Sequence, residues 1–255
     1  MNFDENQISQ LINKNLDNAE KTWAKVGEEL LAKDTMLKAA FESVSNVVQS
    51  KIPGYPLVYD NNSVVDEFIA LVADMRKSSE HLMCAISPKT ADVSGMQRIY
   101  YETTALLPAL AKIIQNQGGN VTEYLGDGVL ALFKVDKENK YDAIYAANRA
   151  ATQSVANLRE VLNNILKERY RLPPVDIGVG LAYSRALVTL VGLENEKQAK
   201  VFGECVFRAT KLSSGTNQVI VDSALNSLWP TGKAGTIKFH PKTMNGVSGF
   251  ILSRN

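Results

Sequence analysis

The sequence predicts an α/β sandwich, with helices on one face of a mixed β-sheet and a helical extension at the N-terminus. Three observations carry this. Short apolar strands alternate with helical segments from about residue 65 to residue 252. A tight glycine turn, Gly126-Asp127-Gly128, joins two apolar runs as a hairpin. Residues 4–49, by contrast, are rich in lysine and glutamate at helical spacing and show no alternation.

Taken in order, the first of these segments carries an apolar stripe that runs from Leu11 and Leu16 through Trp23 and Leu30 to Val44 and Val47. It predicts a helical extension over residues 1–55, as a capping layer on the main domain or as a regulatory or dimerising element. Lys51-Ile52-Pro53-Gly54-Tyr55-Pro56 breaks the helical pattern and marks the boundary, so the main domain spans 60–255. The run Phe68–Asp74 predicts a strand near 65–74, with helices near 77–86 and 94–117 after it. Hairpin strands follow at 120–124 and 128–134, then a long helix over 140–168 that ends before Arg171-Leu172-Pro173-Pro174. Strands near 175–183, 186–192 and 198–202 precede a helix at 204–213. The tail gives a strand at 219–221, a short helix at 222–228, and strands near 235–240 and 247–252.

At 255 residues the chain can bury one substantial core. Its formal net charge of +1 creates no field that would draw it to nucleic acid or an anionic membrane. Cys84 and Cys205 have no metal-ligand spacing and read as small buried thiols of a reducing compartment. The N-terminus lacks the basic and apolar regions of a secretory signal, and no segment reaches the roughly 18 apolar residues of a membrane span. A cytoplasmic protein is the expectation.

Two acids stand out. Asp127 sits on the tip of the glycine hairpin, and Asp74 ends the apolar strand that precedes Met75-Arg76-Lys77-Ser78-Ser79. Strand-end carboxylates that meet across a sheet suit hard cations and phosphoryl chemistry. They belong to an ordered series: Asp74 with its following helix, the Glu123–Phe133 hairpin, Val175–Ala182, Leu190-Val191-Gly192, and Val201-Phe202-Gly203 leading into Glu204–Leu212. From about Val65 to the C-terminus this series resembles the catalytic domain of the class III nucleotidyl cyclases, the adenylate and guanylate cyclase superfamily.

The resemblance implies a ferredoxin-like, palm-type fold and a reaction in which a ribose 3′-hydroxyl attacks the α-phosphate of its own triphosphate. It implies two divalent metal ions per site, Mn²⁺ or Mg²⁺, held by Asp74, Asp127 and the main-chain carbonyl of Met75. Arg76 and Lys77 stand where the family's triphosphate-binding helix opens, and Lys242 falls near its triphosphate-binding lysine. The base-selecting positions of the family are Glu123 and Lys200 here, a pair found in neither adenylate nor guanylate cyclases. Glu123 suits a base with an N–H on its pairing edge, such as uracil N3 or guanine N1, and Lys200 suits a carbonyl. A plain Glu123–Lys200 ion pair is the other reading.

The helix after Gly203 departs further. Where the family has an asparagine for the ribose and an arginine for the transition state, this chain has Phe207 and Lys211, with Arg208 beside them. Intact metal aspartates with altered purine-selecting residues resemble the stand-alone bacterial pyrimidine cyclases of the Pycsar anti-phage systems. That resemblance implies UTP as substrate, cyclic UMP as product and a separate effector. Tyr55 or Tyr59, with Phe207, would then narrow the pocket. It also implies a head-to-tail homodimer with active sites at the interface. A purine cyclase and a degenerate nucleotide-binding domain are the alternatives. His81 and His240 have no triad partners and read as surface or packed residues.

Overall fold

The computed structural model describes residues 4–31, 47–59, 63–83, 91, 93–193, 196–230 and 235–254, excluding the side chains of residue 19 and residues 22–31. Its organising element is strand β3 (Val64–Met75), following α1 (Glu5–Leu31) and the hairpin strands β1 (Val47–Ile52) and β2 (Tyr55–Tyr59). The apolar run Phe68–Ala73 is buried on both faces, which is why it reads as a continuous hydrophobic stretch. Next come α2 (Ser78–Met83), α3 (Gly95–Asn116), β4 (Asn120–Tyr124), β5 (Gly128–Lys134), α4 (Lys140–Gln153) and α5 (Arg159–Tyr170). The chain continues through β6 (Ile177–Val191), β7 (Gln198–Gly203), α6 (Glu204–Leu212), β8 (Val219–Asp222), α7 (Ser223–Leu228), β9 (Ile237–Met244) and β10 (Val247–Arg254).

Eight strands form one mixed sheet, ordered β4-β5-β3-β6-β8-β10-β9, with β7 also paired to β6. Strand alternation sorts the core into two layers. Ile69, Leu71, Ala73 and Met75 point into a large cluster built with α3, α4 and α5. Phe68, Ala70 and Val72 point the other way, toward Leu130, Leu132, Cys205 and Ala209. Helix α6 lies on this second face because two β6 residues lack side chains. A Cβ at Gly178 would stand 2.0 Å from the Ser213 carbonyl oxygen, and one at Gly180 would stand 2.1 Å from that of Ala209.

The N-terminal helix is a packed layer over its first half. Ile8, Ile12 and Leu16 are fully buried in the larger cluster, and Arg169 of α5 pairs with Asp17 at 2.8 Å and Glu20 at 2.7 Å. The side chains of Trp23 and Leu30, and the rest of the stripe as far as Val44, lie outside what is described, as does Cys84. Cys205 is buried, as expected.

Four elements differ from the sequence expectation. Val47 does not continue a helix; it begins β1, and the segment expected to break the chain is the tip of an antiparallel β1–β2 hairpin. Ile52 and Val58 of that hairpin pack onto the second face of the sheet, so residues 47–59 belong to the sheet's own core. The strands expected at 175–183 and 186–192 are one strand, since β3 pairs with β6 without interruption from Val64↔Val188 to Met75↔Ile177. The long helix contains a π turn, Ser154–Leu158, where the Ser154 hydroxyl donates to the Ala150 carbonyl at 2.8 Å and competes with the helical ladder. Among the described residues, no helix is long and apolar enough to cross a membrane.

Candidate active site

The sheet brings the two aspartates together. Asp74 lies opposite Gly128 of β5 and Gly178 of β6. The hairpin closes through the Leu125 N–H donating to the Gly128 carbonyl at 2.8 Å, with Gly126 at φ 90. The Met75 N–H then donates to the Asp127 carbonyl at 3.2 Å, which ties the hairpin tip to the residue after Asp74. Gly128 is required by closeness rather than by its dihedral angles. A Cβ there would meet the Ala73 carbonyl at 2.5 Å and Asp74 Oδ1 at 2.9 Å.

Burial, and then the charge of Asp127, push the Asp74 carboxyl up to about 6, against the opposing Arg76 guanidinium at 2.9 Å. Two adjacent carboxylates short of positive charge, with oxygen-only donors, fit Mg²⁺ or Mn²⁺. Among the described residues no group of three or more His, Cys, Asp or Glu side chains comes together. A metal here would therefore need main-chain and substrate oxygens as well. Arg76 is not open to a phosphate: its guanidinium sits on Asp74 Oδ2, where it stands in for a cation. The chain beyond is held by the Arg76 N–H donating to the Asp176 carbonyl at 2.8 Å, and Lys77 takes a left-handed φ of 60.

Glu123 and Lys200, 77 positions apart in the sequence, meet at 2.9 Å with each side chain about a third exposed. They bridge β4 and β7, and β1 lies against both of these strands. The pair forms both as the base-selecting reading requires and as the plain ion-pair reading requires. One carboxylate oxygen of Glu123 and two N–H groups of Lys200 remain beyond the bond they share.

On α6, Phe207 is 67% exposed, and Lys211 is exposed one turn further on, with no ion-pair partner among the described residues. Arg208 is placed otherwise than expected. It contacts Glu204 and donates to Asp222 at 3.2 Å. Asp222 is buried and caps α7 through the Leu225 N–H at 2.8 Å. Burial raises the Asp222 carboxyl despite these hydrogen bonds, so Arg208 compensates a structural acid. Tyr55 is also elsewhere. Its hydroxyl donates to Asp66 at 2.7 Å, eight positions along β3 from Asp74, or about 26 Å at strand rise. Tyr59 is exposed on the same hairpin. Lys242 is exposed on β9, four strands from β3, or about 19 Å within one protomer.

Sequence reading missed one cluster. His81 Nδ1 lies 2.8 Å from Glu102, which also accepts from Arg98 Nε at 2.7 Å. The i,i+4 spacing of Arg98 and Glu102 is the only signal of it in the sequence. His240 is a surface residue, 2.8 Å from the Ser253 hydroxyl.

No family model matches the chain. An adenylate cyclase of Anabaena cylindrica is 25% identical over 160 residues, 58% of this chain and 30% of that relative. The chain thus spans less than a third of the length of the curated relative it matches. Among solved structures, the guanylyl cyclase Cya2 superposes with a TM-score of 0.58 at 20% identity, covering 74% of this chain and 91% of that one. The adenylyl cyclase CyaB from P. aeruginosa gives 0.59 at 17% identity, covering 76% and 97%. A dimeric guanylyl cyclase domain from the aquatic fungus Blastocladiella emersonii gives 0.52 at 12%, covering 76% and 97%. The fold is that of the adenylyl and guanylyl cyclase catalytic domains.

Proposed function

We propose that this chain is a nucleotidyl cyclase that converts UTP to 3′,5′-cyclic UMP and pyrophosphate. The observation that carries the cyclase reading is the side-by-side placement of Asp74 and Asp127 at the end of two adjacent strands. With the Met75 carbonyl, these two would hold Mn²⁺ or Mg²⁺. The bound ions supply charge neutralisation on the phosphates and acidify the attacking 3′-hydroxyl. Nucleophile and electrophile share one substrate, so the chain's own residues mainly position and neutralise. Lys211, exposed and unpaired with any described acid, is the cation for the transition state; Arg208 is held by Asp222.

The Glu123–Lys200 pair supports base selection at this point. Glu123 accepts an N–H while Lys200 donates to the neighbouring carbonyl, the pattern of uracil N3–H with O4 or O2. Exposed Phe207 fills space on α6 and favours the smaller base. The same donor–acceptor pattern fits guanine N1–H and O6, so guanylate cyclisation is the second reading. Large apolar side chains left exposed near the site, Tyr124, Leu125, Phe202 and Phe207, favour a homodimer that covers them. In that head-to-tail arrangement Lys242 would serve the partner's site. On this reading the enzyme acts through a separate cyclic-nucleotide effector, in anti-phage defence.

The test is a competition of equal ATP, GTP, CTP and UTP with Mn²⁺, products identified by mass spectrometry, with an Asp74→Ala, Asp127→Ala double variant as blank. Cyclic UMP is expected. Cyclic GMP alone would replace the uridylate reading with the second one, and the same trace from the blank would sink both.

A further inference from the structure

Helix α2 is held in an unusual way. None of its six described residues is buried. It nevertheless begins directly after the segment that follows Asp74. A buried charge of α3 grips it. Glu102 of α3 is fully buried; one oxygen accepts from Arg98 Nε at 2.7 Å, and the other faces His81 Nδ1 of α2 at 2.8 Å. Arg98 already pairs the carboxylate within α3, so among the described residues the second oxygen is directed at α2, and His81 Nδ1 donates to it. A buried ion pair adds little net stability over an apolar pair of the same size; what it adds is direction. The backbone supports the same joint. A Cβ at Gly95, the first residue of α3, would stand 2.8 Å from the Leu82 carbonyl oxygen.

The other end of the segment is also fixed, by the Met75 N–H on Asp127 and the Arg76 N–H on Asp176. Between the two anchors Lys77 holds φ 60, a conformation that a lysine keeps only where its surroundings impose it. We propose that His81, gripped by the Arg98–Glu102 pair, is a positioning residue. It holds the main chain of Lys77–Ser79, beside Asp74, in the shape that on the cyclase reading receives a triphosphate. It touches no substrate and acts through the backbone of α2. This rests on the cyclase reading of the site.

The experiment measures binding of inorganic tripolyphosphate and of UTP, with Mn²⁺, by titration calorimetry on the full chain. His81→Ala is expected to weaken tripolyphosphate binding by about 10-fold, as loss of a supporting contact does. The KM for UTP should rise in parallel, with base preference unchanged. His81→Gln keeps a donor for Glu102 and should return the affinity to within about threefold of wild type. Unchanged tripolyphosphate affinity in His81→Ala, while Asp74→Ala abolishes it, overturns the proposal and leaves the cyclase reading standing. Loss of affinity in step with loss of thermal stability, and no rescue by His81→Gln, marks a merely structural contact and also overturns it. Failure of the wild type to bind either ligand removes both ideas.

Discussion

Strand β3 carries carboxylates at both ends, and the two ends treat them in opposite ways. At its start, burial pushes Asp66 up, but hydrogen bonds from Lys134 and Tyr55 outweigh it and hold the carboxyl below its usual value. Glu67 is lowered mainly by the Tyr183 hydroxyl at 2.6 Å, then by Lys140 at 3.0 Å. At the far end, burial and the neighbouring Asp127 drive Asp74 up to about 6, and Arg76 does not compensate. One end supplies its own cations and is finished as a structure. The other is left short of positive charge, which is the signature of a site that completes itself with something bound.

The largest break of this comparison is mutational. On the proposed reading each aspartate would hold metal, so Asp74→Ala or Asp127→Ala should lower cyclic nucleotide production by on the order of 10³. Asp66→Asn and Glu67→Gln should stay within about threefold in the same assay. Equal losses at both ends would erase the distinction. Gly128→Ala should come next. Its new methyl displaces Asp74 Oδ1, from which it would stand 2.9 Å, and a misplacement of about 1 Å costs roughly 10²-fold in rate.

Stability against pH sharpens the contrast in metal-free protein. Asp74 has a folded value near 6, above its unfolded value of 3.8, so the folded state binds the extra proton. Its stabilising contribution is present below the unfolded value and is lost as pH rises through about 6. Asp66 and Glu67, lowered on folding, contribute above their unfolded values and lose that contribution as pH falls below the carboxylate range. Asp74→Asn should therefore raise metal-free stability at pH 7 by about 2 kcal/mol and flatten the rise seen on acidification toward pH 4. Urea denaturation in EDTA across pH 4.5–7.5 reads this, and superimposable curves for variant and wild type would refute it. The smallest effect belongs to Tyr55→Phe. Losing the 2.7 Å bond to Asp66 should cost about 1 kcal/mol in the same denaturation and leave the UTP preference untouched. A changed base preference would return Tyr55 to the pocket.

Much of this architecture was legible because its signals are local. The Gly126-Asp127-Gly128 hairpin, the apolar run of β3 and the glycines of β6 each announce themselves within a few residues. Their register, with Asp74 opposite Gly128, is set by the pairing of β3 with β5. The β1–β2 hairpin escaped because Val47 fits the end of a helical stripe and Pro56 weakens the strand pattern of Tyr55–Tyr59. Ser184 and Arg185 look like a break in β6 but are carried by its pairing with β3 on one side, opposite Phe68 and Glu67. The anchoring of His81 by Glu102 joins residues 21 positions apart, and no local pattern foretells such a contact. The engagement of Arg208 was hidden for the same reason, since its partner Asp222 is visible in sequence only as the start of a short helix.

The seat of helix α6 on Gly178 and Gly180 sets what can vary in this molecule. Carbonyl oxygens of α6 and the turn after it come so near the strand that not even a methyl fits between them. Phe207 and Lys211 thus project from a platform whose height is fixed by the backbone alone. A helix so seated cannot be pressed any closer to the sheet. On the proposed reading, a change of nucleotide on this frame would come from exchanging the side chains at Phe207 and Lys211 rather than from sinking the helix toward the sheet.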